Sequence, residues 1–320
     1  MSAFGPTTGT GLAELLKGSL SHDQVQRFLA GPLLTSADLW QIVKPHIRAI
    51  QQADRVLIVD DSIAEKPYTD ENEIICWHYD HAKGINFVSA RYHASGLSLP
   101  IGFSLIAKTE FYLDKKDGKQ KRRSPKTKNA HYQDLLRQAV RNQILFRYVM
   151  NDVWYASADN VKFIQRDLNK DFIMPIKSNR KVALSLADKQ HGRFVSVDTL
   201  QLEPRAVVEV HLESVDFPLL LVKQDFINED DSVGVQYLVS SDTTLPYDLL
   251  TTRYQKRWNV EPYHKSLKQN ASLQKAPTRT VTTQTSHLFA SLCECIAVVA
   301  LVCSSAGKAT SRPSHRFKAP

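Results

Sequence analysis

The stretch from Arg55 to Ala107 constrains the fold more than any other part of the chain. It holds three strand-like runs in succession: Arg55 to Asp60, Gly84 to Ala94, and Leu97 to Ala107. Only Ser95 and Gly96 separate the second from the third, a spacing that predicts a β-hairpin. A helix-period segment from about Ala130 to Gln143 follows, with Leu135, Leu136 and Val140 on one face, and then a strand from Ile144 to Met150. Ser157 opens a helix through Leu168, and Phe172 to Ile176 reads as another short strand. Strands first, then strands and helices in alternation, specify an α/β layout in which helices cover a sheet. From Phe194 to Ser240 the pattern turns almost wholly to β, and helical character returns at Tyr247 and continues to about Gln269.

At 320 residues the chain can hold two domains, or one large domain with an insertion. The patterns divide it into a helical region at 1–50, a first α/β part at 51–177, a β-rich insertion at 178–243, a second α/β part at 244–303 and a polar, disordered tail at 304–320. In the first part, Ser21 to Gln24 forms a capping-box pattern, and Thr35 or Ser36 can cap a helix carrying Leu39, Trp40, Ile42 and Val43, which Pro45 is expected to shorten. Short helices of this kind suit a DNA-binding module and equally a helical cap.

Charge is distributed unevenly. Lys115 to Arg147 carries a net +9 and Arg253 to Arg279 a net +6, while Val195 to Thr243 carries −8, within a chain of net +8. A basic working face, with the acidic segment held away from it, suits a polyanionic partner. The loop holding Lys121, Arg122, Arg123 and Lys126 is expected to contact DNA phosphates without reading sequence. Four cysteines are too few for a disulfide framework in a chain of this length, which points to a reducing compartment. The apolar run Leu288 to Cys303 is interrupted by Glu294 and falls short of the roughly 20 residues that span a bilayer, so it reads as a buried helix. Cys76, His78 and His81 lack a second ligand pair nearby in sequence, so zinc is not expected, and no glycine-rich phosphate loop indicates a nucleotide cofactor.

Three carboxylates stand where chemistry is expected. Asp60 and Asp61 close the apolar run Val56 to Val59, and Asp152 follows the strand ending at Met150. Carboxyl ends of strands in open α/β sheets collect ligand-binding residues, and neighbouring carboxylates there suit a hard divalent cation. In the late helix, Tyr254, Arg257, Glu261 and Lys268 stand three, four and seven residues apart, so a continuous helix carries them as one stripe. Pro262 opposes that continuity. If Asn259 caps a new helix, Glu261 and Lys268 still share a face, but Tyr254 and Arg257 need not. Trp258, three residues before Glu261, is placed to stack on an unpaired base.

This Tyr-x2-Arg-x3-Glu-x6-Lys spacing resembles the signature of the catalytic helix in IS4-type DDE transposases. Asp61 followed by Ser62 resembles that family's first Asp, and Asp152-Val-Trp-Tyr-Ala resembles its second, which precedes an aromatic pair. The resemblance extends from about Ala53 to Thr285. It implies an RNase H-like mixed sheet with flanking helices, interrupted by a β-rich insertion before the catalytic Glu helix. It further implies binding of the inverted-repeat ends of an insertion sequence, and metal-dependent strand cleavage and transfer by a homodimer on DNA in the bacterial cytoplasm.

Asp61, Asp152 and Glu261 would hold two Mg²⁺ or Mn²⁺ ions roughly 4 Å apart. Asp60 is the alternative first ligand, because one residue of strand register decides which carboxylate faces the pocket. Tyr254, Arg257, Trp258, Lys265 and Lys268 would line the DNA. The three carboxylates are expected to converge, and the β insertion to form a layer of its own. The family carries more helical sequence beyond its signature than the short polar stretch from Ser304, which fits a C-terminally shortened copy. An inactive DNA-binding remnant and a stand-alone metal-dependent nuclease are therefore the two other readings.

Overall fold

Alternate residues of the central strands face two different apolar layers, and that alternation organises the molecule. The computed structural model describes residues 21–78, 81–94, 96–116, 118–227, 231–259, 263–265, 267, 273 and 280–309. The chain opens with α1 (His22–Leu29) and α2 (Ser36–Ile50), both started by complete capping boxes, Ser21 with Gln24 and Thr35 with Asp38. Next come β1 (Val56–Glu65), β2 (Ile75–Trp77), the hairpin of β3 (Lys83–Ala94) and β4 (Leu97–Leu105), and a second hairpin of β5 (Glu110–Leu113) and β6 (Gln120–Arg123). Gly96, at φ +78°, turns the first hairpin as its sequence predicts. Helix α3 (Lys128–Arg141) leads to β7 (Tyr148–Met150), α4 (Ala158–Lys162) and β8 (Asp171–Ile176). Then follow β9 (Lys181–Ala183), α5 (Leu186–Gln190), β10 (Val195–Ser196), β11 (Val207–Leu212), β12 (Leu219–Ile227), β13 (Val233–Ser240), α6 (Tyr247–Gln255) and α7 (Val281–Ala309).

Among the described residues eleven of these strands form one mixed sheet, in the order β10-β9-β11-β12-β13-β8-β7-β1-β3, with both β2 and β4 paired to β3. Strands β1, β7 and β8 run parallel to one another, and the remaining pairs are antiparallel. On one face, Leu57, Val59, Val149 and Phe172 pack with Leu135 and Leu136 of α3 and with Leu39 and Val43 of α2. On the other, Val56, Ile58, Met150 and Leu238 pack with Leu250 and Tyr254 of α6. Each such side chain, fully buried, contributes on the order of 1.5–3 kcal/mol.

Several expectations change. The β-rich insertion does not make a separate layer, because β13 pairs directly with β8 through Val239 and Met174 and so extends the same sheet. Helix α2 runs through Pro45 to Ile50, held on both sides of the proline by wholly buried Val43 and Ile47. Its apolar face lies in the main core, and the Ser36 hydroxyl meets the Phe103 carbonyl of β4 at 2.7 Å, so α2 packs as part of the α/β unit. The apolar run after Leu288 is helical as expected, with Leu288, Leu292 and Ile296 in the core, and α7 continues six residues past the expected boundary at 303. Among the described residues no helix is long and apolar enough to cross a membrane.

Candidate active site

A crevice opens where β1 and β7 part. Their parallel pairing ends at Ile58 with Met150, while β1 stays paired to β3 as far as Glu65. Asp60 and Asp61 lie inside β1, just beyond the end of β7, and Asp152 lies two residues past that end. The strand end that exposes the two aspartates is therefore the neighbour's, not their own as the sequence suggests.

Strand alternation sends the adjacent carboxylates to opposite faces. Asp61 shares the face of Leu57 and Val59, towards α3. There it accepts hydrogen bonds from Lys128 Nζ at 2.7 Å, Tyr155 Oη at 2.9 Å and Asn86 Nδ2 at 3.3 Å. Asp60 shares the face of Val56 and Ile58, towards α6. Its Oδ1 accepts the Asp61 N–H at 2.9 Å, and Arg257 Nη1 stands 3.6 Å from its Oδ2. Burial first, then the charge of Asp152, lift the Asp60 carboxyl to a pKa of about 7 against the counter-pull of Arg257. Burial and the charge of Asp61 likewise raise Asp152, whose Oδ1 accepts the Trp154 N–H at 3.0 Å. Asn151 fixes this end of β7: it is wholly buried, accepts from Tyr132 Oη at 3.0 Å and donates to the Asp152 carbonyl at 2.7 Å.

The signature is not one continuous helix. After α6 ends at Gln255 the chain tightens into a 3-10 turn over Lys256–Asn259, which turns Tyr254 and Arg257 to different tasks. Tyr254, expected at the DNA surface, is instead wholly buried one turn beyond Leu250, on the same inward face, and its hydroxyl meets the Asn151 carbonyl at 3.4 Å. Arg257 reaches the acidic crevice, 5.5 Å from the Tyr254 ring, with its Nε unpartnered. Trp258 is half-exposed and meets Phe226 of β12 edge-on at 6.3 Å. Lys265 is exposed on a helical stretch.

Glu261 and Lys268 lie outside the described residues, so the expected convergence of three carboxylates falls outside them too. The residues just beyond Glu261 are described. Arg91 stands 4.4 Å from the centre of the Tyr263 ring, and His264 Nε2 is 3.5 Å from Ser89 Oγ. Ser89 pairs opposite Asp60 in the sheet, and Arg91 lies two residues along β3, on the same face. The chain that follows Glu261 is thus anchored on the face of Asp60, not that of Asp61.

Residues 1–194 match the family model described as DDE superfamily endonuclease, and residues 123–294 match that of the transposase DDE domain. The chain belongs to the DDE superfamily. Among curated proteins nothing matches it. Among solved structures this DDE chain is similar to the piggyBac transposase of a cryo-EM synaptic complex with hairpin DNA, at 13% identity and a TM-score of 0.50. The match covers 95% of this chain and 63% of that one, so the chain spans less than two thirds of the neighbour's length, and the likeness is one of fold. A crystal structure of Kluyveromyces polysporus Argonaute with a guide RNA matches at 11% identity and a TM-score of 0.24, over 92% of this chain and 35% of that one, too distant to bear on the argument.

DDE enzymes use divalent metal ions, and the crevice suits one. Asp60 and Asp152 offer hard oxygen donors, and burial makes their shared negative charge costly until a cation or a proton joins them. Among the described residues no three His, Cys, Asp or Glu side chains gather into a metal cluster. Lys128 and Tyr155, which hold Asp61, carry no distinguishing signal in the sequence. Lys128 is one cation among many in the basic stretch, 67 residues from its carboxylate, and Tyr155 stands out only as one of an aromatic pair.

The basic loop of the DDE unit is partly strand. Lys121, Arg122 and Arg123 lie on β6, which pairs with the exposed residues of β5. Lys121 pairs with Asp114, Lys126 with Asp134 and Arg123 with Glu110, while Arg122 stacks on Phe111 at 4.5 Å. Exposed pairs of this kind are worth ~0–1 kcal/mol and yield readily to phosphate. Replacing all four cations with Gln is expected to weaken binding to any duplex and to flatten the plot of log Kd against log salt by up to about 0.9 for each phosphate no longer neutralised. A salt titration of binding measures this, and an unchanged slope would make the hairpin an ordinary solvated surface.

Proposed function

We propose that the chain is the catalytic core of an IS4-type cut-and-paste transposase, with Asp60, Asp152 and Glu261 as its working carboxylates. The observation that carries this reading is the crevice beyond β7. There two partly buried carboxylates, Asp60 and Asp152, and the signature Arg257 lie close enough to shift one another's ionisation, and the chain after Glu261 is anchored on the face of Asp60. Asp60 takes the role for which Asp61 is the motif match, because Asp61 is already held by Lys128 and Tyr155 on the opposite face. Asp61 then positions these two groups.

The substrate is double-stranded DNA at the inverted-repeat ends of the element. Water attacks the end phosphodiester, and the freed 3′ hydroxyl attacks a target strand, each step exchanging one phosphorus–oxygen bond for another. Two Mg²⁺ or Mn²⁺ ions, when bound, supply Lewis-acid activation of the attacking oxygen and stabilisation of the leaving one. Asp60, Asp152 and Glu261 would hold this charge in place, and Arg257, facing Asp60, would neutralise the non-bridging phosphate oxygens. Two copies on DNA, one per end, act in the bacterial cytoplasm.

A strand-transfer assay with labelled element ends and a divalent metal tests the reading. Cut ends joined to target DNA are expected. Cutting without joining would make the chain a nuclease of the same fold, and binding without cutting would make it an inactive remnant.

A further inference from the structure

A buried polar network joins Asp61 to Asp152, although β1 and β7 have already parted where these residues stand. Asp152 opens the 3-10 turn Val153–Tyr155, and its carbonyl accepts the Tyr155 N–H at 3.3 Å. The same Tyr155 sends its hydroxyl to Asp61 Oδ1 at 2.9 Å, so one residue touches both aspartates. Its ring stacks on that of Tyr132 in α3, with centres 4.8 Å apart and planes 15° from parallel. From there the Tyr132 hydroxyl donates to Asn151, whose Nδ2 donates in turn to the Asp152 carbonyl. Tyr132, Asn151 and Tyr155 are wholly buried. Burial lifts both tyrosine hydroxyls well above their ordinary range, so both stay protonated and donate. Apolar side chains of the same shape would fill this space about as well, so what the polar set adds is one fixed geometry.

We propose that Tyr155 is a positioning residue that ties Asp152 to Asp61 on β1 and thereby sets the separation between the carboxylates of Asp152 and Asp60. Three observations carry the assignment. Tyr155 is the one buried side chain of its turn, and Val153 and Trp154, both exposed, leave the turn no other side chain in the core. The negative charges around the crevice oppose one another, Asp152 raising Asp60 and Asp61 raising Asp152, so an untethered turn would carry Asp152 away from β1. Asp60 is the neighbour of Asp61 and accepts its N–H, so a fixed distance from Asp152 to Asp61 also fixes the distance to Asp60. The inference rests on the reading of Asp60 and Asp152 as working carboxylates and adds the group that keeps them in register.

The test is Tyr155→Phe in the full-length protein, which removes the hydroxyl and keeps the ring, the stack and the backbone N–H. In metal-free protein, amide hydrogen exchange at Trp154 and at residue 155, the two N–H groups held by Asp152, is expected to quicken by roughly fivefold to tenfold, the worth of one hydrogen bond. Single-turnover cleavage of a labelled element end at saturating Mn²⁺ is expected to fall by a similar factor, and half-maximal rate to need more Mn²⁺, while binding in EDTA stays within about twofold. A loss of packing alone would not separate metal dependence from DNA binding in this way. Asp61→Asn, which keeps an oxygen for the Tyr155 hydroxyl, is expected to cut faster than Asp61→Ala. Adding Tyr155→Phe to Asp61→Ala is expected to cost little more, because the two changes break the same bond. Unchanged exchange in Tyr155→Phe, or a full further loss of rate in the double variant, would overturn the proposal. A protein whose exchange quickens in Tyr155→Phe but which never cuts DNA keeps the tether and loses the transposase reading, and one that cuts with exchange and rate both untouched by Tyr155→Phe does the reverse.

Discussion

Asp60→Asn is expected to stabilise the metal-free protein at about pH 8 by roughly 2–4 kcal/mol and to leave it almost unchanged near pH 4. In the folded chain the Asp60 carboxyl holds its proton up to a pKa of about 7, against an ordinary value of 3.8. Its proton-linked stability is therefore fully present below about pH 4 and is lost as pH rises through about 7. The loss has two causes, burial and the facing charge of Asp152, and asparagine removes the ionisation that both act against. Its amide oxygen can still accept the Asp61 N–H that Asp60 accepts now, so the local fold is kept. Urea unfolding across this pH range, with and without Mg²⁺, measures the effect. Added Mg²⁺ should stabilise the unaltered protein above pH 7 and do little for the variant. Equal stability of the two proteins at pH 8 would mean that Asp60 does not sit in a frustrated acidic crevice.

Much of this fold is legible in the sequence because hydrophobic period and turn chemistry are local. The β3–β4 hairpin follows from Ser95-Gly96, the Ser21–Gln24 capping box forms where the residues promise it, and Thr35, one of two candidates, caps the second helix. What stays hidden depends on pairing across long separations. Nothing in the alternation of Val233–Ser240 says whether its partner is another insertion strand or β8, so the continuous sheet cannot be foreseen. The same holds at the site. Spacing picks out Arg257 and the aspartates, but which of two adjacent aspartates faces Arg257 depends on strand parity relative to a helix almost two hundred residues away. Tyr254 misleads because its spacing to Arg257 is the same whether it lines a groove or, as here, closes the core beneath Asn151.

Asp152→Ala and Glu261→Ala are each expected to lower metal-dependent cleavage by about three orders of magnitude or more, while end binding in EDTA stays within a few-fold of the unaltered protein. The size follows from the several kcal/mol of charge stabilisation that a misplaced ion no longer provides. Docking is spared because neither residue offers a positive group to phosphate, and removing a carboxylate can only ease the approach of a polyanion. Arg257 should behave differently. Arg257→Ala loses cleavage and also leaves Asp60 without its facing cation, so a metal titration of that variant should shift along with its rate.

The most direct measurement compares single-turnover cleavage of a labelled element end by Asp60→Ala and Asp61→Ala at saturating Mn²⁺. If Asp60 supplies the first carboxylate, its variant falls as far as Asp152→Ala. Asp61→Ala, which removes the hydrogen-bond acceptor of Lys128, Tyr155 and Asn86 and the charge that helps to raise Asp152, keeps a rate within about tenfold to a hundredfold of the unaltered protein. An Asp60→Ala protein that cuts at the unaltered rate, beside a dead Asp61→Ala, would contradict the assignment and move the chemistry to the α3 face of the sheet.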